Sequence, residues 1–340
     1  MNLSKYETLA VVMEQGSLTA AARELGCTQS AVSHSIDSLE KELGFPVLKR
    51  GRAGVSLTAE GERLMPAVRA LLGAAEQLNQ TAASIRGLDA GTVRIGAFTS
   101  VAVHWLPGVL KEFQADFPNV EFRLFNGDYH DVEQWLSEGS IDIGFVNVPC
   151  AVDCECIPLM ADRLLAILPE NSRFASYPKF PLIECEKEPF ISLLESSDHD
   201  ARRALDAAGV RPNVRFYTKD DYAIIAMVEQ GLGMSIMPEL LLKGRSDRLL
   251  ILPLVPEATR VIGIAISAGS KAGPATRRFA DYVVRYVNNQ AAVSAAWLFT
   301  GTVIDWVCYC CPRESSFSMV RKSSSGSGLL FFRFSSQESA

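Results

Sequence analysis

Apolar positions at the start of the chain recur with helical spacing and are interrupted by glycine. Leu18, Ala21, Ala22 and Leu25 fall on one helical face that Ser17 can cap and Gly26 can end. After the turn Gly26-Cys27-Thr28 a second helix is predicted, with Val32, Ile36, Leu39 and Leu43 on one side. Its other side carries Gln29, Ser30, Ser33, His34 and Asp37. Gly16, Gly26 and Gly44 therefore divide residues 1–58 into short helices of one small unit. Behind them Val47-Leu48 and Val55-Leu57 flank Gly51-Arg52-Ala53-Gly54, which predicts a two-stranded hairpin carrying Lys49, Arg50 and Arg52.

Residues 59–90 show no strand alternation. Leu64, Val68, Leu71, Ala75, Leu78, Ala82 and Ile85 are spaced alternately by four and three, the seam of one long helix. The same helix of a second copy is the natural cover for such a seam, which predicts a homodimer; packing on its own domain is the other arrangement. Pro66 stands inside this helix, where proline costs about 3 kcal/mol unless a kink absorbs it.

Beyond the glycines of a hinge at 87–91, strand-like and helix-like stretches alternate. Strands are expected at Thr92–Ala97, Val120–Phe125, Ile141–Val146, Leu164–Leu168, Phe190–Leu193, Val214–Tyr217, Met234–Met237 and Val261–Ile266. Helices are expected at Leu106–Phe117, Val132–Leu136, Asp198–Ala208, Asp220–Gln230 and Pro274–Val287. The wiring is α/β and predicts two doubly wound αβ subdomains over 91–289, the first from 91–161 plus 267–289 and the second from 162–266. Residues 290–340, with Cys308, Cys310, Cys311 and a serine-glycine tract, follow neither period and are expected to form a poorly ordered tail.

Composition narrows the function. The start of the chain lacks a basic flank followed by an apolar block, and no apolar run reaches roughly 20 residues, so a cytoplasmic protein is expected. A net charge of −6 argues against indiscriminate coating of nucleic acid but leaves local basic patches free to act. The eight cysteines are then expected as reduced thiols. Cys150, Cys154 and Cys156 lie close enough to raise a thiol or metal sensor, although no CxxC pair accompanies them and the four histidines are scattered, so no metal and no cofactor is assigned. No nucleophile elbow, phosphate loop or His-Glu-x-x-His is present, and Gly231-Leu232-Gly233 precedes a strand, so an enzyme is not expected.

A turn as short as Gly26-Cys27-Thr28 between two helices has the helix-turn-helix spacing, in which the second helix enters the DNA major groove. Glutamine can pair with adenine through two hydrogen bonds, while serine and histidine can contact bases or phosphates. A polar helix face alone is equally a solvated one. Its conjunction with a basic hairpin points to DNA, with Thr28, Gln29, Ser30, Ser33 and His34 reading and Lys49, Arg50 and Arg52 holding phosphate.

Ala21-Ala22-Arg23-Glu24-Leu25, Gln29-Ser30-Ala31-Val32-Ser33, Leu39-Glu40-Lys41-Glu42-Leu43-Gly44 and Leu57-Thr58-Ala59-Glu60-Gly61 resemble the signature of LysR-type transcriptional regulators. The resemblance runs to about Asn289 and implies a winged helix-turn-helix, a dimerising linker helix, homodimers or homotetramers, and a periplasmic-binding-protein-like effector domain. Promoter DNA and a small-molecule effector are the implied partners, with RNA polymerase a further one and no membrane. Ser30 and His34 stand where the family often has proline and arginine, so no operator sequence is carried over. In open αβ sheets ligands sit beyond strand carboxyl ends, which singles out Thr99, Ser100, Val146, Asn147, Thr218 and Asp220. The family's inducer cleft matches Thr99, Ser100 and Asn147 among them, although Thr99 and Ser100 would equally serve as helix caps. Hydroxyl and amide groups at helix starts suit a small anion such as a carboxylate.

Overall fold

Three side chains turn the start of the chain into helices. Asn2 accepts from the Ser4 amide and opens α1 (Leu3–Gln15), Ser17 accepts from Ala20 and opens α2 (Leu18–Glu24), and Thr28 accepts from Ala31 and opens α3 (Gln29–Leu43). Gly16 and Gly44 end α1 and α3 at φ +62° and +80°, a conformation that side-chain-bearing residues resist. Leu9, Val12, Ala21, Val32, Ile36 and Leu39 close the core these helices share. The hairpin forms as predicted, β1 (Leu48–Gly51) pairing antiparallel with β2 (Gly54–Leu57). Glu40 fastens it to α3 by accepting from the amides of Val47 and Leu48 at 2.7 and 3.0 Å. This computed structural model describes residues 2–51, 54–85, 90–152, 154–194, 200–244, 248–267 and 273–298.

Helix α4 (Ala59–Ile85) runs through Pro66 without a break, over about 40 Å at 1.5 Å per residue. Its predicted seam divides in two. Leu64 and Val68, the latter 2% exposed, pack with Met65 and Leu72 into the core of the chain's own first domain, so this part of the seam is covered by its own domain and not by a second copy. Leu71 and Ala75 are half-buried, whereas Ala82 is exposed and Leu78 and Ile85 are 70% and 82% exposed.

The rest of the chain alternates as expected in its first half: β3 (Gly91–Ala97), α5 (Thr99–His104), α6 (Leu106–Asp116), β4 (Val120–Asn126), α7 (Tyr129–Glu138) and β5 (Ile143–Asn147). Then come β6 (Cys154–Pro169), β7 (Phe180–Pro181), β8 (Pro189–Leu193), α8 (Asp200–Ala207), β9 (Asn213–Thr218), α9 (Asp221–Glu229), β10 (Ser235–Pro238), α10 (Glu239–Leu242), β11 (Leu249–Val255), β12 (Thr259–Ser267) and α11 (Pro274–Leu298). Strand β6 is far longer than the predicted Leu164–Leu168, and β11 has no counterpart among the predicted strands.

One path of strands runs β4-β3-β5-β12-β6-β11-β7, with β10 added on β6 and β8 paired with β9 apart from it. The order is mixed, because β3 is parallel to β4 and β5 while β12 is antiparallel to β5 and β6. Residues Cys154–Arg163 of β6 pair with β12 in the first lobe, and Leu164–Pro169 pair with β10 and β11 in the second. The chain thus crosses between lobes within β6 and returns at the start of β12. Ile262, Ile264 and Ile266 belong to the core of Val93, Ile95, Phe113 and Phe279, so these residues stand in the first lobe and the predicted boundary at 266/267 moves back to about Arg260. The second lobe's core gathers Leu164, Phe180, Phe190, Leu205 and Ile236. Helix α11 continues to Leu298, past the point where a poorly ordered tail is expected; Cys308, Cys310 and Cys311 lie outside the described residues.

Candidate functional site

Two candidate sites lie at opposite ends of the sequence pattern. On α3, Gln29, Ser30 and His34 are exposed and Ser33 is half-buried, so the apolar side of the helix is spent on the core and the polar side is free. The Thr28 hydroxyl caps the helix and sits 2.9 Å from that of Ser30. Lys49 is exposed on the hairpin. Arg50 is exposed too, but its guanidinium donates to Asp37 at 2.6 Å and to Ser33 at 3.0 Å, tying the wing back to the reading helix. An exposed pair of this kind contributes about 0.2–1 kcal/mol, weak enough for a phosphate to displace it. Arg52 lies outside the described residues.

Between the lobes lies a cavity of about 240 Å³. Phe98, Thr99 and Ser100 line it from the end of β3 and start of α5, Asp128, Tyr129 and Asp131 from the start of α7, and Asp200, Lys219 and Asp221 from the second lobe. Thr99 and Ser100 are thus where the strand-end argument puts them. The other predicted residues are not on the wall. Asn147 stands one layer behind it, its amide donating to Asp200 at 2.9 Å and its oxygen accepting from Val261 at 3.3 Å. Val146 is fully buried with Val132 and Leu136, because alternation along β5 turns it under α7. Asp220 caps α9 through the amides of Tyr222 and Ala223, and the Thr218 hydroxyl accepts from the Asp220 amide. These bonds hold both side chains along the turn and away from the cavity, which Lys219 and Asp221 line instead.

The residue at the centre of the cleft is one that the sequence pattern does not single out. Arg260, 5% exposed, donates from Nε and Nη2 to Asp162 at 2.9 and 2.7 Å, from Nη2 to Ser100 at 2.8 Å, and from Nη1 to Tyr129 at 2.6 Å and Asp200 at 3.4 Å. Its guanidinium also lies 5.1 Å from the centre of the Phe98 ring. Burial opposes this charge, but Tyr129, Asp162 and Asp200 more than reverse that, so the guanidinium is held above its ordinary range and stays charged. Asp162, 2% exposed, is pushed above the usual carboxylate range by burial while Arg260 pulls the other way, and its second oxygen accepts from the Leu240 amide at 3.0 Å. Burial likewise raises Tyr129 well above its ordinary value. Asp221 is raised by burial as well, while the nearby Thr99 hydroxyl and the Arg260 charge pull it the other way. One cation therefore joins side chains of both lobes at the point where the chain crosses between them.

The cysteines pack under α7 with Val132 and Val146. Cys150 and Cys154 have their sulfurs 3.4 Å apart, and burial first of all pushes Cys154 up to about 12 and Cys156 to about 11. Among the described residues no three histidines, cysteines or carboxylates form a group able to hold a metal ion, and no helix is long and apolar enough to cross a membrane.

Comparison with known proteins matches this division of labour. Residues 3–62 match the model of the bacterial regulatory helix-turn-helix protein, lysR family, and residues 86–288 match that of the LysR substrate binding domain. The chain is 32% identical over 291 residues to the probable HTH-type transcriptional regulator LrrA of Synechococcus elongatus, an overlap covering 83% of this chain and 96% of the relative. It is 28% identical over 284 residues to the uncharacterized HTH-type transcriptional regulator YvbU of Bacillus subtilis, covering 83% and 97%. Among solved structures, full-length OxyR from Pseudomonas aeruginosa superposes with a TM-score of 0.68 at 20% identity, covering 84% of this chain and 98% of that one. Full-length CbnR in complex with its target DNA superposes with a TM-score of 0.59 at 22% identity, covering 84% and 100%. With a helix-turn-helix domain at its start and a substrate-binding domain over most of its remaining length, the chain belongs to the LysR family of transcriptional regulators and is not an enzyme.

Proposed function

We propose that this chain reads promoter DNA through the exposed side of α3, as a homodimer or homotetramer joined along α4, and reports the filling of the cleft by a small molecule. The observation that carries this reading is the placement of two adjacent residues on α4. Val68 is buried in the core of the DNA-reading domain, and Arg69 makes an ion pair with Glu138 at the end of α7, whose first residues line the cleft. A ligand that draws the two lobes together acts on the start of α7, and α7 acts on the helix that sets the distance between two reading domains. Two α3 helices of a dimer then contact half-sites about 34 Å apart or a multiple of it.

The starts of α7 and α9 are taken by the chain's own carboxylates, which leaves the uncapped start of α5 to receive an anionic effector. A thiol switch has one contact in its favour, the 3.4 Å approach of Cys150 and Cys154, and the raised thiols against it, since the thiolate is the reactive form. The test is footprinting on genomic fragments selected by the purified chain, before and after a metabolite extract is added. Two protected half-sites on one face of the helix are expected, with spacing that the extract changes in the parent and not in Ala201→Trp, which fills the cleft. A response that survives Ala201→Trp would refute the cleft as the effector site.

A further inference from the structure

We propose that Asp200 is a latch between the lobes. From the second lobe it places its own carboxylate on Tyr129, Asn147 and Arg260, and so holds the resting arrangement until a ligand takes its place. This rests on the cleft being the effector site and concerns the regulation of that site.

Asp200 is the first residue of α8, which packs on the core of the second lobe through Ala204 and Leu205. Its carboxylate reaches the other way. One oxygen accepts from the Tyr129 hydroxyl at 2.6 Å and from Nη1 of Arg260 at 3.4 Å, and the other accepts from the Asn147 amide at 2.9 Å. Tyr129 opens α7 and Asn147 ends β5, both in the first lobe, and Arg260 stands where β12 returns to it. Asp200 is 9% exposed, so water competes little for these bonds, and the carboxylate's charge strengthens them.

The latch can open without stranding a buried charge. Arg260 keeps Asp162, its closer partner at 2.7 and 2.9 Å. Asp200 keeps Arg203, one turn along α8, whose exposed guanidinium already donates to it. Breaking a buried pair is costly when it leaves one ion uncompensated, and here neither is left so. Release instead deprives the Tyr129 hydroxyl and the Asn147 amide of their acceptor. Tyr129, Arg260 and Asp200 all line the cavity, so a ligand that brings an acceptor there completes the exchange. Two arrangements, each with its charges paired, are what a ligand needs in order to bias α7 and, through Glu138, the linker helix.

Formate has the shape of the group that Asp200→Ala removes, which makes chemical rescue the test. On the genomic fragment selected by the parent, Asp200→Ala is expected to change the half-site spacing without any extract, raising the ratio of changed to unchanged footprints at least about tenfold. Sodium formate is expected to restore the parent footprint, whereas sodium chloride at equal ionic strength is not. Thermal melting is expected to show the same selectivity, formate raising the melting temperature of Asp200→Ala above its value in chloride and having no such effect on the parent. Tyr129→Phe keeps the ring against Phe98 and removes the donor, so it is expected to change the footprint in the same direction with no rescue by formate; it carries the test if Asp200→Ala fails to fold. Parent footprints from both variants, or a change in Asp200→Ala that formate and chloride reverse equally, overturn the latch. If extract shifts the parent while Asp200→Ala alone has the parent footprint, the cleft reading stands and the latch falls. If formate reverses the change in Asp200→Ala but the extract response survives Ala201→Trp, the latch between the lobes stands and the cleft falls as the effector site.

Discussion

Replacing Arg260 by methionine keeps most of the side-chain volume and removes the charge that Asp162 and Asp200 surround. Asp162 is 2% exposed, so water cannot take the place of the guanidinium. The buried carboxyl then has one inexpensive option, to take up a proton. Holding protonated at pH 7 a carboxyl whose ordinary value is about 3.9 costs about 1.4 kcal/mol per pH unit, or about 4 kcal/mol in all. That figure agrees with the roughly 3–5 kcal/mol observed when one partner of a buried pair is removed. The sign with pH follows directly. The variant's folded state binds a proton that its unfolded state releases above about pH 4, so the deficit grows as pH rises and shrinks to about 1.5 kcal/mol at pH 5. Urea unfolding of parent and variant at pH 5 and 7, followed through the effector domain, measures both numbers. Adding Asp162→Asn to the methionine variant is expected to recover most of the loss at pH 7, because the amide still accepts from Leu240 and carries no charge. A loss below about 1 kcal/mol, or one that is equal at the two pH values, would refute the reasoning that Arg260 compensates a buried charge.

Glu40→Ala leaves the amides of Val47 and Leu48 without their charged acceptor and is expected to destabilise the first domain by about 2 kcal/mol; an unchanged denaturation midpoint contradicts this. Leu78→Asp with Ile85→Asp is expected to convert the oligomer to a monomer in sedimentation velocity, since covering each of these exposed side chains contributes about 1.5–3 kcal/mol; an unaltered mass argues against the α4 interface. Because burial raises Cys154 to about 12, its thiolate fraction at pH 8 is about 10⁻⁴, and alkylation by iodoacetamide is expected to be far slower in the folded chain than in urea and to speed up about tenfold per pH unit. Equal rates in the two states would show that the thiol is not held protonated.

The reading domain is legible because every signal in it is local. Ser17, Thr28, Gly16 and Gly44 act on residues within one turn of themselves, and the face of α3 follows from a period of 3.6. The α4 seam shows where periodicity stops: it identifies a face but not its cover, and Val68 faces its own domain while Leu78 and Ile85 face outward. Arg260 is invisible for a stronger reason. Its partners Ser100, Tyr129, Asp162 and Asp200 are 160, 131, 98 and 60 residues away, and a single arginine before an apolar strand reads as a solvated flank. The misplaced lobe boundary has the same origin, since Val261–Ile266 is as apolar as a strand of either lobe and only its pairing with β5 assigns it. At Thr218–Asp221 the strand-end argument reaches the turn that borders the cavity but singles out Thr218 and Asp220, whereas Lys219 and Asp221 line it, because Asp220 is spent on capping α9.

The most direct test of the account is quantitative gel-shift titration of a selected genomic fragment with the parent and with Gln29→Ala combined with His34→Ala. Removing a base-reading side chain is expected to weaken specific binding by about 1–3 kcal/mol, so the double variant should bind at least tenfold more weakly while its affinity for unrelated DNA stays nearly the same. A double variant that holds the fragment as tightly as the parent would contradict the assignment of α3 as the element that reads DNA.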